Sequence, residues 1–249
     1  MSVSGSDALE LAARDWYGYG RWDAPYWFIG PEPGRAKAEE QSLEDRCAAW
    51  LRLCNGNPRE GALVDAFRHH KEFGRLELFE TAAGKKRVPT QATWRQLIRL
   101  LFAFQGRPDA ADNDAIADYQ STKWGRANGE TCVAELSALA MNSLSLKQDL
   151  RERFRSERLA RLRSEIDRNH PKFVVMYGGG ASTFPSWIDV AGFESATAGF
   201  TVEDIAGLPA SFGRRDGTIF VVTRHPVSHG TTDRYWSGIG QKLRNLTNP

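Results

Sequence analysis

Cysteine is scarce in this 249-residue chain: Cys47, Cys54 and Cys132 are all there are. None stands in a Cys-x-x-Cys pair and three cannot all be bridged, which argues against a disulfide framework or a zinc site and points to small core residues. Nowhere do eighteen apolar residues occur together, and the first residues show no basic segment followed by an apolar run. A membrane partner and a secretory signal are therefore not expected, and the expected location is the cytoplasm. Charge of one sign is also lacking, for the net charge of +2 gives no strong global attraction to nucleic acid. The glycine run Gly178-Gly179-Gly180 is neither a Walker loop nor a Gly-x-Gly-x-x-Gly turn, so nucleotide binding has no signature here.

What remains is an ordinary globular composition, 41% hydrophobic and 26% charged, in a chain long enough to bury a full core. Its charges are unevenly placed. Residues 1–60 hold ten acidic against seven basic side chains, whereas from Arg214 onward six Lys/Arg face only Asp216 and Asp233. A phosphate-facing patch is therefore better sought near the C-terminal end.

Apolar periodicity predicts helices over 7–17, 41–53, 93–104, 147–168 and 235–246, the fourth of them an arginine-rich helix with a solvated, ion-paired face. Buried strands are expected over 26–29, 131–139, 172–177 and 219–223. Residues 55–89 and 183–217 give no clear pattern, the pair His69-His70 reads as surface without a role, and 109–130 reads as a lid or surface insertion. Strands alternating with helices predict a three-layer α/β/α sandwich around a mostly parallel four-stranded sheet, in one domain over 1–249 with an insertion around 55–130.

Two strands empty into loops of related design. Tyr26-Trp27-Phe28-Ile29 runs into Gly30-Pro31-Glu32-Pro33-Gly34, where two prolines restrict the backbone around one carboxylate. Ile219 to Thr223 runs into Arg224-His225-Pro226-Val227-Ser228-His229-Gly230. Together these loops resemble the two signature loops of the uracil-DNA glycosylase superfamily, whose first loop reads Gly-Gln-Asp-Pro-Tyr, Gly-Ile-Asn-Pro-Gly or Gly-Glu-Ala-Pro-Gly in different branches and whose second is usually His-Pro-Ser or Asn-Pro-Ser. Two further stretches, Ala134-Glu135-Leu136-Ser137-Ala138 and the turn after Tyr177, fit the same pattern, so the resemblance spans about 24–246.

The resemblance implies a DNA glycosylase, which extracts a nucleotide and breaks the bond from base to deoxyribose. Glu32 would stabilise positive charge on the sugar and orient or deprotonate water, and His225 would donate a hydrogen bond to the departing base. Pro31, Glu135 and Trp94 would contact the base, with Glu135 where the family keeps an Asn. Gly34, Gly179, Ser182, Arg224, Ser228, His229 and Gly230 would meet the DNA, His229 replacing a wedging Leu. Neither loop supplies a lysine for a Schiff base, so a monofunctional enzyme without metal, iron–sulfur cluster or other cofactor is expected.

An ionised Glu135 can only accept hydrogen bonds, which would disfavour uracil O4 and suit an exocyclic amine. A modified cytosine, such as one in phage DNA with a defence role to follow, is the expected substrate. A repair glycosylase for uracil or another deaminated base, and a non-catalytic nucleic-acid-binding protein of the same fold, are the other readings. A metal-dependent hydrolase using Glu32, His225 and His229 is disfavoured, because a Pro-containing loop does not hold His-x-x-x-His in helical register.

Overall fold

A computed structural model describes residues 5–32, 40–54, 57–85, 87–107, 109, 111–139, 145–178 and 184–247. Helix α1 (Gly5–Asp15) leads into a short strand β1 (Gly18–Gly20) and then β2 (Tyr26–Gly30), all five residues of which are buried. Helix α2 (Glu40–Leu53), β3 (Leu63–Val64), α3 (Ala66–Glu72), α4 (Ala92–Gln105) and α5 (Asn113–Thr122) precede β4 (Thr131–Glu135). The arginine-rich helix α6 (Ser145–Asn169) crosses to β5 (Phe173–Tyr177), and α7 (Phe184–Ala191) and α8 (Ala196–Gly199) follow. Strands β6 (Thr201–Ile205), β7 (Leu208–Arg215) and β8 (Thr218–Thr223) and helix α9 (Asp233–Thr247) complete the fold.

These strands form one mixed sheet in the order β3-β1-β4-β2-β5-β8-β7-β6. The expected sheet of four strands is too narrow. Its centre, β4-β2-β5-β8, is parallel throughout, but β1 adds antiparallel to β4 and the β6-β7-β8 meander adds antiparallel to the other side. The meander is built on two tight turns. Ala206-Gly207 and Asp216-Gly217 all take positive φ, the backbone that a two-residue hairpin requires.

Alternation along the central strands divides the core between the two faces. Phe28, Val133, Val175 and Val221 meet residues of α4 and α9, while Trp27, Cys132, Val174 and Phe220 meet Leu162, Ile166 and Trp187 of α6 and α7. The chain is thus α/β with helices on both sides of the sheet. The three cysteines are free and buried, as small core residues.

Several expectations need correction. Residues 109–130 are not a lid: α5 packs Ile116 and Tyr119 into the core, and Trp124 just after it is 0% exposed. His69 and His70 are buried rather than on the surface, His69 bonding to Tyr19 Oη at 3.2 Å and to the Arg46 carbonyl at 2.9 Å. The strand expected over 131–139 ends at Glu135, so this carboxylate closes a strand instead of interrupting one.

Candidate active site

Parallel strands bring their carboxyl ends to one edge, where an open α/β sheet keeps its ligand crevice. Register pairs Gly30 with Glu135 on one side, while on the other Ile29 pairs with Met176, the residue before Tyr177. Glu135 and Tyr177 therefore flank a glycine, and both side chains lean over it. The Tyr177 hydroxyl donates to Glu135 Oε1 at 3.3 Å. A Cβ on Gly30 would lie 2.2 Å from Glu135 Oε2 and 2.4 Å from the Tyr177 hydroxyl. Only glycine leaves room for this pair.

Burial, with a smaller contribution from the Glu32 charge, pushes the Glu135 carboxyl up to about 8. The Tyr177 hydrogen bond and the charges of Arg46 and Arg158 act in the opposite direction. Glu135 Oε2 is shut off from solvent and has no hydrogen-bond partner among the described residues. Tyr177 is itself held well above the usual phenol range by burial, so it remains a donor.

Beside this pair stands the Glu32 loop. Backbone bonds from Leu136 N to Gly30 O at 2.8 Å and from Ser137 N to Pro31 O at 3.2 Å carry the strand pairing past the end of β2. Glu32 Oε2 lies 3.0 Å from Arg151 Nη2 of α6, both side chains largely buried. Across the gap, a Cβ on Gly178 would lie 3.1 Å from the Pro31 ring and 3.9 Å from His225 Cδ2, so Pro31 and His225 approach one another over a single glycine. The His225 ring also meets Tyr177 edge to face at 5.6 Å between centroids.

His225 is held neutral. Burial lowers its pKa below the usual histidine value. Val227 N–H donates to Nδ1 at 3.4 Å, which leaves Nε2 as the atom that carries the proton. The loop is braced from within by Ser228 N–H and Oγ–H, both donating to the His225 carbonyl, and by Thr231 Oγ1, which bonds to the Pro226 and Ser228 carbonyls at 2.9 and 2.8 Å.

Compared with protein-family profiles, curated proteins and solved structures, the chain matches none.

Of the residues singled out in the sequence, Pro31, Glu32, Glu135 and His225 come together at this edge. Trp94 does not offer a free face: it is 8% exposed and packs among Tyr19, His70, Phe79 and Trp124. Ser228 is half-buried, and its hydroxyl donates to the His225 carbonyl within the loop. Arg224, His229 and Gly230 are exposed on the His225 loop. Gly34, Gly179 and Ser182 lie outside the described residues. In the basic C-terminal segment, Arg215 pairs with Asp167, Lys242 with Glu203, and Arg214 donates to the Leu246 carbonyl, while Arg224 and Arg234 are cations exposed around the loop.

Four residues at the edge were not singled out beforehand. Tyr177 ends an apolar run and reads as core, and Gly30 reads as a turn. Arg151 and Arg158 sit in a helix whose charges read as solvated. Arg158 is 1% exposed, and its guanidinium donates to the carbonyls of Leu136, Glu135, Trp16, Ala13 and Arg14 at 2.7 to 3.4 Å, with Cζ 4.0 Å from the centroid of the Tyr17 ring. Burial lowers it to about 10, so it stays charged at neutral pH. It ties the end of β4 to the end of α1 and thereby fixes where Glu135 stands. On the His225 loop, Val227 is an apolar side chain 57% exposed. Among the described residues, no three His, Cys, Asp or Glu gather as a metal site and no helix is long and apolar enough to cross a membrane.

Proposed function

We propose that this chain is a monofunctional DNA glycosylase of the uracil-DNA glycosylase type, which extracts a pyrimidine nucleotide and hydrolyses its N-glycosidic bond. The observation that carries this reading is the approach of Pro31 and His225 across Gly178, beside the residue that bears the Glu32 carboxylate. Scission leaves positive charge on the sugar and negative charge on the base, and a site gains most by aiming fixed groups at both. Glu32 faces the sugar. Held by Arg151, it stabilises the oxocarbenium-like centre and orients water for attack at C1′. His225 faces the base, where its Nε2–H donates to the carbonyl oxygen that gathers charge.

Base choice falls to Glu135. The sequence suggested an ionised carboxylate that would reject uracil, yet burial keeps the proton on at neutral pH. A neutral carboxyl offers one donor and one acceptor. A modified cytosine, such as one in foreign DNA, remains the preferred substrate, because its N3 and N4 amine present an acceptor beside a donor. The same neutral carboxyl also favours a second reading, uracil repair, since N3–H and O4 present the reverse order. Val227, exposed on the His225 loop, is better suited than His229 to enter the stack left by the extracted base, because it is apolar.

Incubating the protein with duplex and single-stranded DNA containing uracil, hypoxanthine or modified cytosines tests the reading. Alkali-labile abasic sites and free base are the expected products with at least one substrate. Tight DNA binding with no product from any of them would support a non-catalytic binding protein instead.

A further inference from the structure

Helix α6 brings an arginine against the Glu32 loop. Arg151 Nη2 meets Glu32 Oε2 at 3.0 Å, and the two side chains are only 23% and 18% exposed. Burial of that degree removes much of the solvent screening that makes surface ion pairs weak. A rigid element sets the position of the guanidinium. Arg151 stands about two turns before Arg158 and hence on the same face of the helix, and Arg158 is fixed to the Leu136 and Glu135 carbonyls at 2.7 and 2.8 Å. Leu150 and Phe154 beside Arg151 are buried, so the turn that carries it is packed down.

Two carboxyls compete for charge at this edge. Glu135 faces Glu32 from the end of β4, and each disfavours ionisation of the other. Tyr177 of β5 bonds to Glu135, and His225, held neutral, stands beyond the Pro31 ring. Bound DNA adds phosphates, whose negative charge disfavours a carboxylate further. Arg151 is the cation that meets Glu32 directly, whereas Arg158 gives its donors to backbone carbonyls. Of two neighbouring carboxyls, the one that touches a guanidinium ionises first. Oε2 of Glu32 is also shut off from solvent, so the oxygen able to meet a water molecule is Oε1.

Resting on the glycosylase reading above, we propose that Arg151 is a positioning residue, which keeps Glu32 ionised and turns Oε1 toward the attacking water. Its contact with Oε2 fixes the plane of the carboxylate. Its charge offsets the phosphates of the bound strand and makes Glu32, rather than Glu135, the ionised member of the two. Arg151 itself touches neither the sugar nor the base, and acts only through Glu32.

NMR titration of the Glu32 carboxyl carbon in the DNA-free chain, its signal assigned by loss in Glu32→Gln, tests this without requiring turnover. Arg151→Met and Arg151→Gln are expected to raise the midpoint of that signal by about one pH unit or more, and Arg151→Lys, which keeps the charge, by less than about half as much. A midpoint that falls, or that stays within about 0.3 pH unit of the wild type in both uncharged variants, would overturn the proposal. In single-turnover base release, the acid limb of the pH profile should move with the NMR midpoint, and the rate at pH 7 should drop by about tenfold or more in Arg151→Met and recover in part in Arg151→Lys. A purely structural role would instead lower the rate equally at every pH, with no rescue by lysine. DNA affinity and its salt dependence should match the wild type; a salt slope smaller by about one phosphate contact would make Arg151 a DNA contact and overturn the positioning role. If the Glu32 signal shifts as expected but no DNA yields an abasic site, the glycosylase reading falls while the control of Glu32 by Arg151 stands. Abasic sites formed by a chain whose Glu32 signal is indifferent to Arg151 would uphold the glycosylase and overturn the positioning role.

Discussion

Replacing Glu135 by glutamine keeps the side-chain shape and removes the proton equilibrium, so it isolates what the buried carboxyl costs the fold. In the folded chain this group titrates at about 8 instead of 4.5. A carboxyl raised in this way is neutral in both states below pH 4.5, so its folded environment carries no penalty there. Between 4.5 and 8 the unfolded chain releases the proton and the folded chain holds it, and stability falls as pH rises. At roughly 1.4 kcal/mol per unit, the loss reaches about 3 kcal/mol at pH 7 and levels off near 5 kcal/mol above pH 8. Glu135→Gln should therefore match the wild type in stability near pH 4.5 and exceed it by about 3 kcal/mol at pH 7. For a chain of this size that is a rise of about 6 to 12 °C in Tm. Urea unfolding at pH 5, 7 and 9 with both proteins would measure it. A stability difference that does not grow with pH, or a variant less stable than the wild type at pH 9, would refute the reasoning.

Other substitutions probe the same edge. Gly30→Ala places a methyl group against Glu135 and Tyr177, so it should cost about 1 to 3 kcal/mol of stability in thermal unfolding and remove base binding more completely than it weakens DNA binding. Arg158→Met strips five backbone carbonyls of this donor and should destabilise the chain by about 3 to 5 kcal/mol in urea, with base affinity falling alongside as the end of β4 loses its anchor. Borohydride added during turnover should trap no covalent protein–DNA adduct, because neither loop supplies an amine; a trapped adduct on denaturing gels would contradict a monofunctional mechanism.

The central strands were legible because burial on both faces gives continuous apolar runs, as in Trp27-Phe28-Ile29 and Phe173 to Met176. The long amphipathic helices followed from their periodicity. The antiparallel strands were not read, although Asp216-Gly217 is a recognisable hairpin turn; Ala206-Gly207 lacks the usual Asn or Asp and gives a weaker signal. Polarity misled in 109–130, where Tyr119 and Trp124 are anchored beneath a charged surface. It misled again in α6, whose arginines differ completely in fate: Arg158 is interior, Arg151 holds Glu32, and Arg153 pairs with Glu10 at the surface. Periodicity distinguishes an inward from an outward face but not a guanidinium that satisfies backbone carbonyls from one that faces water. The candidate residues Glu32 and His225 were legible as polar groups following buried strands, and Glu135 as a carboxylate within an apolar run. The protonation of Glu135 was not, because it depends on neighbours distant in sequence: Tyr177 stands 42 positions from Glu135.

Glu32→Gln offers the most direct test of the central claim. Single-turnover release of free base from the best DNA substrate would be measured for the wild type and the variant, with DNA affinity determined on the same preparations. A positioned carboxylate is worth on the order of 10²-fold or more. The account predicts a loss of at least that size in base release with DNA affinity retained. Wild-type rates in the variant would contradict it.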